Sequence, residues 1–97
     1  MSFVLVHRPG SMHTAKYDEI VRRLEDSGAG APPGRLYHVC FGSTDGLSVV
    51  DIWESRATFD GFAHLLLPIL EQVGVDPGHI EFEPVYNEIV GAATGAV

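Results

Sequence analysis

The chain has 97 residues, with 6 Lys plus Arg against 13 Asp plus Glu and a formal net charge of −7. That length fits one domain, and so few basic residues cannot supply the several phosphate contacts that nucleic-acid binding needs. Cys40 is the only cysteine, so an internal disulfide is excluded, and no Cys/His spacing resembles a zinc site.

Ser2–Arg8 is apolar on both faces and predicts a central strand, ended by Pro9-Gly10. Thr14 is the expected N-cap of a helix over Ala15–Asp26, whose stripe is Tyr17, Ile20, Val21 and Leu24. Ser27-Gly28 stops that helix. Gly28–Gly34 is a Gly/Pro connector, stiffened by two prolines in series.

Residues 35–54 predict a hairpin, because two strand-like runs flank Asp45-Gly46. A two-residue loop there sets Cys40 opposite Asp51 and His38 opposite Trp53. Side chains alternate along a strand, so one face collects Leu36, His38, Cys40, Val49, Asp51 and Trp53. The other collects Tyr37, Val39, Phe41, Val50 and Ile52. The second face is the more uniformly apolar, so it is assigned to the core beneath the helices. The first is left open.

Ser55 predicts the cap of a second helix running to about Val73, with Phe59, Phe62, Leu66, Ile69, Leu70 and Val73 buried. Pro68 inside it predicts a kink or a break, and Leu65 and Leu67 widen the apolar surface. Asp76-Pro77-Gly78 reads as a turn. His79–Val90 reads as a last strand, at a sheet edge or bulged because Pro84 cannot donate to a ladder.

The order β-α-β-β-α-β implies an α+β, ferredoxin-like domain over residues 1–90, with a flexible tail at 91–97. Its four-stranded antiparallel sheet carries both helices on one face. A chain this small leaves the other face bare, which favours a homodimer. No apolar run approaches the ~18 residues of a membrane span. The N-terminus lacks a cleavable signal pattern, so a cytoplasmic setting is expected.

Pro9-Gly10 through Leu24, the hairpin with Val50-Asp51-Ile52-Trp53-Glu54-Ser55, Phe59, Phe62, Leu67-Pro68 and Pro84-Val85-Tyr86-Asn87 carry a resemblance that covers nearly the whole chain. The pattern resembles the dimeric α/β-barrel superfamily, which includes the antibiotic biosynthesis monooxygenase-like proteins. The resemblance implies two sheets packed open face to open face, forming a barrel across a dimer. Some relatives are cofactor-independent oxygenases of aromatic substrates whose pockets use Asn, Trp, Tyr and Arg. Trp53 matches the pocket tryptophan by motif, and Tyr86 and Asn87 are rough counterparts of the Tyr and Asn. Haem-degrading relatives place a second Trp and a His along the second helix, where this chain has Phe62 and Gln72. No haem, metal or other cofactor is expected.

The residues that could carry chemistry are His38 and Asp51. A buried carboxylate needs a partner, and an aspartate-oriented imidazole is a general base suited to neutral pH. Trp53 would offer an aromatic wall to a flat ligand, with Cys40 a packed thiol between them. His7 falls at the rim of the open face, and Tyr86 either points its hydroxyl inward or packs at the edge. The bland alternative is a structural His–Asp bond beneath a core tryptophan. Two functions follow: a small-molecule-binding barrel protein with monooxygenase-like activity on an aromatic substrate, or a non-catalytic dimerisation or accessory module.

Overall fold

The computed structural model describes residues 1–94. Strands β1 (Phe3–Gly10), β2 (Arg35–Ser43), β3 (Gly46–Trp53) and β4 (Asp76–Pro84) form one sheet, with helix α1 (Thr14–Asp26) between β1 and β2 and helix α2 (Arg56–Val73) between β3 and β4. The strand order is β2-β3-β1-β4 and every neighbouring pair is antiparallel. This is the expected α+β ferredoxin-like fold. Among the described residues no helix is long and apolar enough to cross a membrane.

Local chemistry explains the helix ends. His13, rather than Thr14, caps α1: its Nδ1 accepts from the Lys16 N–H at 3.4 Å. Ser55 caps α2 as expected, accepting the Thr58 N–H at 3.1 Å. Gly74 ends α2 in the left-handed conformation that glycine adopts without steric cost. Pro68 does not divide α2, which is one element from Arg56 to Val73. Pro68 lies on the exposed side, while Phe62 before it and Ile69 and Leu70 after it are buried and hold both sides of the interruption against the core.

The hairpin loop is Thr44-Asp45, one position earlier than the Asp-Gly step suggests, because Ser43 pairs with Gly46. Moving the loop by one residue shifts every cross-strand partner by two. From Tyr37 onward each side chain therefore keeps its predicted face-mates but changes its opposite number, whereas Leu36, at an irregularity in β2, leaves the predicted face and is exposed. His38 stands opposite Asp51, and Cys40 opposite Val49.

The assignment of faces is inverted. Leu5, His7, Val49, Asp51 and Trp53 are buried beneath the helices, whereas Tyr37 is 60% exposed and Phe41 38%. The mixed face is covered and the uniformly apolar one is bare. The core runs from Trp53, whose ring centroid lies 5.6 Å from Phe59 and 5.4 Å from Phe62, to Phe82, which stacks on Phe3 at 5.0 Å.

The last strand begins and ends earlier than expected. Asp76-Pro77-Gly78 belongs to it, with a register irregularity against Arg8–Gly10. Pro84 terminates it, since proline offers no ladder N–H. Val85 still donates to the Ser2 carbonyl at 2.9 Å. Residues 86–94 are exposed and form neither helix nor strand, and the remainder of the expected tail lies outside the described residues.

Candidate functional site

The pleat and the antiparallel register bring residues from three strands into rows on the covered face. His38, Asp51 and Leu5 make one row, and Cys40, Val49 and His7 the next. Above them lie Tyr17 of α1 and Phe62, Leu66 and Leu70 of α2, and a cavity of about 240 Å³ remains between the helices and the sheet. The cavity is thus inside one chain, not on the open face where the sequence reading put it.

Three short contacts cross its floor. His38 Nδ1 lies 2.6 Å from Asp51 Oδ1, and the Tyr17 hydroxyl lies 2.7 Å from His38 Nε2. Trp53 Nε1 donates to Asp51 Oδ2 at 3.3 Å. An ionised carboxylate only accepts, so His38 donates through Nδ1. In the neutral imidazole Nε2 then accepts the tyrosine proton. Donors and acceptors alternate along Tyr17–His38–Asp51–Trp53, and both carboxylate oxygens are satisfied. Asp51 is 4% exposed, a burial that would be costly without these partners.

Tyr17 was legible only as part of an amphipathic stripe; its hydroxyl, which a half-buried tyrosine must satisfy, was the available signal. Burial, and then the neighbouring Cys40, push its ionisation above the usual phenol range, with Arg35 opposing them. The resting group is a phenol, not a phenolate. Burial likewise raises the Cys40 thiol, so it is a packed thiol and not an activated nucleophile.

His7 is not at an open rim. It is 6% exposed, lines the cavity, and reaches the Pro77 carbonyl through Nε2 at 2.7 Å. That carbonyl can only accept, so Nε2 carries the proton and Nδ1 is the acceptor in the neutral ring. Burial pushes His7 below the ordinary imidazole value, outweighing the opposing Pro77 bond and the Asp51 charge. Gly78, at φ +63°, makes this possible: a Cβ there would meet the Arg8 carbonyl oxygen at 2.3 Å.

The remaining expected site residues are elsewhere. Trp53 is 0% exposed; it packs in the core behind Asp51 and Phe62 and does not itself line the cavity, so it forms no ligand wall. Cys40 faces the helices but lies outside the cavity lining, and Tyr86 and Asn87 are exposed beyond β4. Arg35, given no role by the sequence, lines the cavity with its guanidinium 5.5 Å from the Phe62 ring. Among the described residues no metal-binding group of three or more His, Cys, Asp or Glu occurs.

No protein-family model matches this chain, and no curated protein sequence does. Solved structures do. A variant of SnoaB, a cofactor-independent oxygenase from Streptomyces nogalater, superposes with a TM-score of 0.67 at 13% identity, over 91% of this chain and 96% of that one. Rv0793 from Mycobacterium tuberculosis gives 0.67 at 14%, over 93% and 100%. A candidate antibiotic biosynthesis monooxygenase from Deinococcus radiodurans gives 0.63 at 11%, over 96% and 100%. The chain therefore has the fold of the antibiotic biosynthesis monooxygenase-like proteins, as the resemblance implied.

Proposed function

We propose that this protein binds a small aromatic molecule in the cavity beneath its helices and removes a proton from it, in monooxygenase-like chemistry that uses no cofactor. The unbroken Tyr17–His38–Asp51 chain at the cavity floor carries this reading. A substrate phenol placed beside Tyr17 gives its proton to the phenolic oxygen as Tyr17 passes its own to His38 Nε2. The imidazolium that results is stabilised by the Asp51 carboxylate. One proton leaves the substrate and one arrives on His38, so Tyr17 never has to persist as a phenolate.

The ionised ring has carbanion character para to its oxygen and attacks dioxygen there. Loss of the ring proton and cleavage of the O–O bond leave a quinone carbonyl. One oxygen atom enters the product and the other departs as water, so a naphthol plus dioxygen gives a naphthoquinone plus water. The cavity is smaller than the ~300–1,000 Å³ of pockets for drug-sized ligands, which favours one or two fused rings. SnoaB, described as a cofactor-independent oxygenase, shares the fold and supports the reaction type.

The bare apolar face supports a homodimer, with Val4, Val6, Val39, Phe41, Val50 and Ile52 meeting their copies. That surface, with the exposed Leu65 and Leu67, equally suits a non-catalytic dimerisation or accessory module. Oxygen uptake with a panel of naphthols and naphthalenediols separates the two. Uptake matched by quinone formation, and lost in His38→Gln, supports catalysis. Uptake no greater than the protein-free blank across the whole panel assigns the accessory role.

A further inference from the structure

β2 is irregular at one place. The pairing of Tyr37 with Ile52 is followed by Arg35 with Trp53, so Leu36 is an extra residue without a partner. Simple alternation from the inward His38 would turn Leu36 inward and Arg35 outward. The bulge reverses this: Leu36 is 55% exposed, and Arg35 lines the cavity. Bulges re-aim side chains, and they concentrate beside active sites for that reason.

The guanidinium so placed is held in two ways. One terminal nitrogen donates to the Gly30 carbonyl at 3.2 Å, and the guanidinium carbon lies over the Phe62 ring, 5.5 Å from its centroid. Among the described residues no carboxylate lies within ion-pair distance of it, although Glu19, Asp26 and Asp60 pair with other arginines. Asp51, the cavity's own carboxylate, has both oxygens engaged by His38 and Trp53. Arg35 therefore brings to the cavity a fixed positive charge with further N–H donors. Its charge already acts on Tyr17, favouring an anion there against the effect of burial.

We infer that Arg35 is a recognition site for an anionic oxygen of the ligand, so that the substrate is an aromatic acid bearing a carboxylate as well as the phenol that loses its proton. This rests on the proton-removal reading for the phenol but not for the carboxylate. A planar guanidinium can meet a carboxylate with two parallel N–H···O bonds, and the Gly30 hydrogen bond and the Phe62 contact hold the group at the cavity wall.

Calorimetric titration with a hydroxynaphthoate and the matching hydroxynaphthamide tests it. The parent should bind the acid about 10- to 100-fold more tightly than the amide, as charge-assisted bonds require. Arg35→Gln should bring the affinity for the acid down to about that for the amide, and a urea midpoint close to the parent's shows that the variant is folded. Arg35→Lys should retain part of the preference. Equal binding of acid and amide by the parent, or a preference that survives in Arg35→Gln, overturns the assignment. The phenol absorbance, read in the same titrations, reports the other reading. An ionised bound amide without any preference for the acid defeats only the Arg35 assignment. An Arg35-dependent preference with an un-ionised phenol supports that assignment and defeats only proton removal.

Discussion

His38 and Asp51 stand directly opposite each other on β2 and β3, and 2.6 Å separates Nδ1 from Oδ1. The carboxylate fixes the proton on Nδ1 and leaves Nε2 as the acceptor that Tyr17 meets. Asp51→Asn tests this directly. An amide can donate to Nδ1, which moves the imidazole proton to Nε2 and removes its basic lone pair. Proton removal from a bound naphthol should fall by about 10²- to 10⁴-fold, the range for a positioned base. Stopped-flow absorbance would read it. An unchanged rate would mean that Asp51 is a structural partner alone.

Tyr17→Phe should uncouple binding from proton removal. The variant loses one hydrogen bond, so its stability should drop by about 0.5–1.5 kcal/mol in urea unfolding. Its bound ligand should ionise more slowly, since the relay oxygen is gone, although His38 becomes more accessible. A rate equal to the parent's would show that substrate meets His38 without Tyr17.

Trp53→Phe should cost about 1–3 kcal/mol, because it leaves a void beside Phe59 and Phe62 and removes the donor to Asp51 Oδ2. Chemical denaturation measures the loss. Affinity for a naphthol should change far less than stability, because Trp53 lies outside the cavity lining. A large affinity loss with little loss of stability would restore the stacking role.

How far the sequence disclosed these roles varied with the physics. Apart from Leu36 at the bulge, the set of residues sharing a face survived a misplaced loop, because a two-residue register shift preserves alternation. Which face lay inside did not follow from apolarity. A chain that keeps a polar site beneath its helices and presents a bare apolar face reverses the usual rule. Arg35 escaped because a bulge depends on tertiary pairing, and Tyr17 because a tyrosine in a helical stripe ordinarily packs. His7 was misplaced by the same inversion of faces.

His7 gives a pH dependence of defined sign. Its folded-state value is depressed by burial, while the unfolded chain takes up a proton near the ordinary value of 6.5. Below that pH the unfolded state holds more protons, so this contribution is intact above 6.5 and is lost as pH falls toward the folded value. His7→Gln keeps a donor for Pro77 but cannot titrate. Urea midpoints at pH about 7.5 and about 5.5 should show a smaller acid loss in the variant than in the parent. Parallel losses would contradict a neutral buried His7.

Phe41→Asp places a charge on the bare face, far from the helices in the pleat. It should shift the solution mass from dimer to monomer in light scattering, while naphthol affinity is retained because the cavity is built from one chain. Loss of binding on dissociation would place part of the site in the partner.

The most direct measurement is the ultraviolet difference spectrum of a naphthol bound at a pH below its own ionisation. With the parent protein the bound ligand should show the naphtholate band, and with His38→Gln it should bind but remain neutral. A neutral ligand on the parent, or the same naphtholate band on both proteins, would contradict the account.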